Sequence, residues 1–174
     1  VAAGAGRFVP MAPARLLDTR TTARPSPVTA VSVALPAGVP TDAMALAVGI
    51  TTADAGGPGF FSAYPAGAAR PNTSVLNTSA AGQTVAVTAI VPVDAAGLQV
   101  FTQNGDHVIV DVFGYFTGAS APTSTEGMFV PSTQTRLIDT RTGAVPIYTG
   151  GSVPVDHAKV TGGSVSAIVA NFTA

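Results

Sequence analysis

The hexapeptide Arg15-Leu16-Leu17-Asp18-Thr19-Arg20 sets two guanidinium groups, a carboxylate and a hydroxyl side by side in a chain where only 10% of residues are charged. Three chemistries suit that set: an arginine site for an anionic ligand, nucleophilic attack by Thr19, or an ion pair that fixes the backbone. Attack by a hydroxyl needs a base beside it, and no histidine or lysine is near Thr19 in sequence. On an extended strand Arg15, Leu17 and Thr19 point one way and Leu16, Asp18 and Arg20 the other. Asp18 and Arg20 then pair in bidentate fashion, with Thr19 capping the turn that follows. The same cluster returns as Arg136-Leu137-Ile138-Asp139-Thr140-Arg141. A reactive site need not be rebuilt in each repeat, whereas an ion pair that fixes a strand must be. The reading is therefore structural for Arg15, Asp18, Arg20, Arg136, Asp139 and Arg141, and no residue is assigned a catalytic role.

Asp111 belongs to the same set. It interrupts the apolar run Val108-Ile-Val-Asp-Val-Phe-Gly-Tyr-Phe116, and a carboxylate in such a strand must be paired. Arg15 or Arg20 is the natural partner. The two histidines, His107 and His157, do not occupy equivalent repeat positions, and each has one nearby aspartate rather than the three or four ligands a metal needs. No metal or cofactor is expected. With eight aspartates and a lone glutamate, Glu126, no carboxylate pair for glycoside hydrolysis stands out. Asp54, Asp94 and Asp106 read as turn residues. Phe60, Phe61 and Tyr64, after Gly56-Gly-Pro-Gly59, are the candidate platform for a sugar ring, with core packing as the competing reading.

The formal net charge of -1 offers no basic field for nucleic acid or an anionic membrane. No apolar run reaches the roughly 18 residues of a membrane-spanning helix. A nearly uncharged surface repels neighbouring copies weakly, which favours assembly. With no cysteines, neither a disulfide framework nor a thiolate metal site is available.

The elements that must position these residues read as strands. Fourteen prolines and nineteen glycines punctuate the chain, and no helical periodicity is sustained. Eight short segments rich in Val, Ile, Thr and aromatics are expected as strands: 15–19, 31–35, 43–52, 60–64, 74–77, 84–93, 98–102 and 107–116. The last two, around Asn104-Gly105, read as a hairpin. In the last, Val108, Val110, Val112, Gly114 and Phe116 share one face, and apolar groups on both faces predict burial on both sides. The class is all-β, a β-sandwich or jelly roll. Residues 7–23 and 128–144 are identical at ten of 17 positions, and 42–53 resembles 163–174 at the same offset of 121. The expected organisation is a flexible terminus 1–6, a complete module 7–118, a linker 119–127 and a partial second repeat 128–174. That opening half is expected to pair with the first unit or with another chain.

Taken in order, Arg15–Arg20, Val39-Pro40 with 45–52, Phe61-Ser-Ala-Tyr-Pro-Ala-Gly67, 74–86 and Val108–Phe116 resemble a tandem module of secreted and cell-surface proteins of actinobacteria. The resemblance implies a secreted, non-catalytic unit, in some proteins placed beside a wall-active hydrolase. The expected function is a structural or adhesion module of the cell surface or a surface filament, partnered by copies of itself or by neighbouring repeats. The alternative is a carbohydrate- or cell-wall-binding module that targets an attached hydrolase.

Overall fold

The computed structural model describes residues 2–142, 147–161 and 164–173, which divide into a first unit, Val1–Met128, and a second, Phe129–Ala174. The first is all-β. Its strands are β1 (Phe8–Asp18), β2 (Thr29–Val33), β3 (Ala45–Ala53), β4 (Gly59–Pro65), β5 (Leu76–Thr78), β6 (Val85–Pro92), β7 (Leu98–Thr102) and β8 (His107–Phe116). They form two antiparallel four-stranded sheets, ordered β1-β8-β3-β6 and β2-β7-β4-β5. Period-two alternation makes the sandwich: Leu46, Val48, Ile50 and Thr52 of β3 are fully buried, while the residues between them are not. Leu46, Val48 and Ile50 meet Val33, Phe61, Leu76, Leu98 and Val100 of the opposite sheet in one core.

β7 and β8 do not form the expected hairpin. β7 pairs with β2 and β4, whereas β8 pairs with β1 and β3. Residues 103–106 therefore carry the chain from one sheet to the other. The crossing lets Leu98 and Val100 face Val108 and Val110 across the core, where a hairpin would line them up in one sheet. Asp106 secures it: its Oδ1 accepts the Gly56 N–H at 2.6 Å, and its own N–H donates to Thr102 Oγ1 at 3.0 Å.

The face assignment of β8 is also corrected. Opposite Ala47 and Val48 of β3 stand Gly114 and Val112, so Phe113 is an extra, bulged residue. Beyond it the alternation inverts: Tyr115 packs on the core, and the Phe116 ring lies 5.3 Å from that of Phe8. The Phe113 ring covers Gly49, where a Cβ would stand 3.0 Å from it.

A topological fact governs the rest. β1 pairs only with β8, β2 only with β7, and β3 with β6 and β8. None of the first three strands pairs with another of the three. The edges are blunted as well: β1 carries Pro10, Pro13 and two register breaks, β6 ends at Pro92, and β5 has three residues.

Residues 2–6 and 119–127, expected as a flexible terminus and a linker, are hydrogen bonded to each other and to the start of β1. Ala3 and Ser124 exchange backbone hydrogen bonds at 2.9 and 3.0 Å, and the Phe8 N–H donates to Gly127 O. Arg7 lies buried among them, donating to the carbonyls of Gly4, Pro122 and Glu126 at 3.3, 2.9 and 2.9 Å. Met128 stands at the matching repeat position.

The second unit forms no strand among its described residues, only a short 3-10 turn at His157–Lys159. Its described residues make no strand pairing within the chain. In the first unit every partner of β1 to β3 lies downstream of β3. Large apolar side chains stay in solvent: Phe129 is 75% exposed, Val130 80% and Val169 89%. The expected match at 163–174 falls partly on Gly163 and Ala174, outside the described residues.

Candidate functional site

The charged cluster is built on a β-bulge. Arg15 stands opposite Asp111 and Leu17 opposite Val110, which leaves Leu16 as an extra residue in β1. The bulge breaks the simple alternation. Leu16 and Leu17 both pack against the core, and Arg15 reaches the same carboxylate as Arg20 instead of pointing away from it. Asp18 Oδ1 accepts from the Arg20 N–H at 3.1 Å and from Nε at 2.9 Å. Its Oδ2 accepts from Arg20 Nη2 at 2.7 Å and Arg15 Nη1 at 2.8 Å. Arg15 also grips Asp111 through Nε at 2.6 Å and Nη2 at 3.2 Å. The partner of Asp111 is thus Arg15, and the four residues form one chain, Arg20–Asp18–Arg15–Asp111. It runs along the surface: the arginine side chains are 47% and 49% exposed, that of Asp18 11%.

Hydrogen bonding from the Arg20 side chain, followed in weight by burial acting against it, holds the Asp18 carboxyl well below its ordinary 3.8. The Arg15 and Arg20 guanidiniums are pushed above their ordinary value, first by hydrogen bonds to Asp111 and Asp18 respectively. Because the folded value of Asp18 is depressed, its contribution is present above the unfolded carboxylate range and is lost as pH falls through the folded value. The urea midpoint of the first unit is expected to stay level from pH 7 to about 5 and to fall below about pH 4. Asp18→Asn should lower the midpoint at pH 7 and flatten the acid limb. An unchanged acid limb in that variant would contradict the assignment.

Thr19 does not cap the turn. Asp18 is the cap of the 3-10 turn Thr19–Thr21, and Thr21 Oγ1 donates to the Asp18 carbonyl at 2.9 Å. Thr19 points inward, 3% exposed. Its Oγ1 accepts the Val108 N–H at 2.9 Å and lies 3.1 Å from His107 Nδ1. Sequence proximity could not reveal this contact, since His107 is 88 residues away. It puts a hydroxyl beside an imidazole, the pairing a nucleophile needs, but that oxygen is buried and already holds a backbone amide. Thr19→Val is expected to cost about 1–3 kcal/mol in urea unfolding by leaving a buried N–H unpaired. Thr19→Ser should recover most of that loss; equal losses in both variants would point to packing instead.

In the second unit the hexapeptide repeats the local geometry. Asp139 Oδ1 accepts from the Arg141 N–H at 3.1 Å and Nε at 2.9 Å, and Oδ2 from Arg141 Nη2 and Arg136 Nη1, both at 2.7 Å. Thr142 donates to the Asp139 carbonyl at 2.8 Å. The Asp139 carboxyl is held down and the Arg141 guanidinium pushed up by their mutual hydrogen bonding. Six residues therefore hold this ion-pair turn where the described residues of the unit form no strand.

The three aromatics do not share one face. Phe61 is 1% exposed in the core. Tyr64 is buried as well. Phe60 lies 5.6 Å from Phe101, and the Arg70 guanidinium sits 4.4 Å over Phe101 and 5.8 Å over Phe60. A sugar platform is not formed. His157 lies in its own short turn, capped by Asp156. Among the described residues no group of three His, Cys, Asp or Glu could hold a metal.

Fold and cluster together define a two-sheet, all-β module whose most conspicuous charged residues are bonded to one another. Comparisons with protein-family models, curated proteins and solved structures found no match.

Proposed function

We propose that this chain is a non-catalytic structural or adhesion module of an extracellular surface or surface filament, working through tandem β-units and packing between chains. The observation that carries the reading is the double construction of the ion-pair turn, at Arg15–Arg20 and at Arg136–Arg141, with matching hydrogen bonds. Charges consumed by each other in every copy serve architecture better than turnover. The exposed apolar side chains of the second unit favour a partner surface. The extracellular setting rests on the resemblance to secreted actinobacterial modules.

Sedimentation tests it. The purified chain is expected to associate with rising concentration and to stay in the supernatant with purified peptidoglycan. Saturable pelleting with the wall material, reversed by soluble glycan, would favour the carbohydrate-binding alternative and overturn the structural one.

A further inference from the structure

We infer that copies of this chain pack head to tail through a contact in which Arg70 of one copy meets the Glu126 carboxylate of the next. The inference rests on the reading of the chain as a module that packs against other copies, and it names the two surfaces that meet.

Two residues stand out by their charge. Of the eight lysine and arginine side chains, all but Arg70 donate to an oxygen of the chain among the described residues. Of the nine carboxylates, all but that of Glu126 accept a hydrogen bond there. One copy therefore presents one unengaged charge of each sign. Both are exposed, and both are held in position. The Arg70 guanidinium lies 4.4 Å over the Phe101 ring and 5.8 Å over that of Phe60, which orients it and leaves its N–H donors to solvent. Its loop is anchored on both sides: the Gly67 N–H donates to Asp94 Oδ2, and Ser62 Oγ donates to the Thr73 carbonyl. Glu126 rides on backbone that is fixed twice. Its carbonyl accepts from Arg7 Nη1 at 2.9 Å, and its N–H donates to Ser124 Oγ at 3.0 Å. Charges oriented in advance lose little freedom on meeting a partner, and arginine with aromatic residues is the composition enriched at protein interfaces.

Their places in the fold decide the symmetry. Arg70 lies on the outer face of the β2-β7-β4-β5 sheet, because Phe60 and Phe101 point away from the core in which Phe61 and Val100 pack. Glu126 stands beside β1 of the other sheet, next to Gly127, whose carbonyl accepts the Phe8 N–H. The two do not pair within one copy, so the Arg70 surface meets the Glu126 surface of another. A contact between two different surfaces leaves one of each free and propagates from copy to copy. An isolated exposed ion pair is weak, so this one sets direction and partner more than affinity.

Sedimentation velocity of the full chain over a concentration series tests the contact, with the folding of each variant checked by its urea midpoint. Arg70→Glu and Glu126→Arg should each raise the concentration needed for association at least about tenfold, because each sets like charges against one another. Mixed in equal amounts, the two variants should associate together near the wild-type concentration. The chain carrying both substitutions should do so alone. Arg70→Gln, the milder variant should Arg70→Glu fail to fold, is expected to fall between wild type and reversal. Association of the folded single variants at the wild-type concentration overturns the contact and leaves a self-associating module standing. A mixture that associates no better than either variant overturns the pairing. Loss of association in the Arg70 variants alone assigns that guanidinium to a different carboxylate and overturns it too. A wild-type chain that stays monomeric throughout removes the self-association reading along with the contact.

Discussion

Val110→Pro is expected to abolish the cooperative unfolding transition of the first unit and most of its sheet signal in circular dichroism. Val110 is fully buried and pairs with Leu17 on one side and Ile50 on the other. Proline there removes a donor from an interior ladder, a place where proline is essentially never found. It also leaves the volume of a packed core side chain poorly filled. The loss is compounded by topology, because among the described residues β8 is the only strand partner of β1 and one of two partners of β3. Ile90→Ser on the outer face of the edge strand β6, at a residue 64% exposed, should change stability little. A near-normal transition in Val110→Pro would show that β8 does not organise the unit.

Phe61→Ala is expected to lower the stability of the first unit by about 3–5 kcal/mol in urea unfolding. The ring is 1% exposed within the shared core, so its removal leaves a cavity between the sheets. This variant also decides between two roles assigned to the same aromatic set. A platform residue would lose ligand binding at normal stability, whereas a core residue loses stability first. An unchanged midpoint would contradict the core assignment.

The strand content of the first unit was legible in the sequence because alternation survives where one face is buried. Leu46, Val48 and Ile50 of β3 display it cleanly. What escaped was whatever depends on a single inserted residue or on long-range pairing. The bulges at Leu16 and Phe113 invert the faces of Arg15 and Phe116, and nothing in local composition announces them. The Asn104-Gly105 signal marked a true turn, with Gly105 at φ +71, yet a turn residue cannot say whether the chain returns to the same sheet. Arg7 was missed because a buried arginine satisfied by three carbonyls has no carboxylate partner to betray it. The ion-pair turn was the most readable part of the site, since its bonds span at most three residues apart from those to Asp111. Its exposure was not readable, and the cluster lies along the surface rather than in the core.

RLxDTR shapes the same ion-pair turn in both units, and in the first unit it is also part of a strand paired with β8. Hydrogen exchange of the chain alone distinguishes the two copies, by comparing the amides of 15–18 with those of 136–139. Strong protection is expected in the first segment, whose strand pairs with β8, and near-unprotected exchange in the second. Equal, strong protection in both would contradict it.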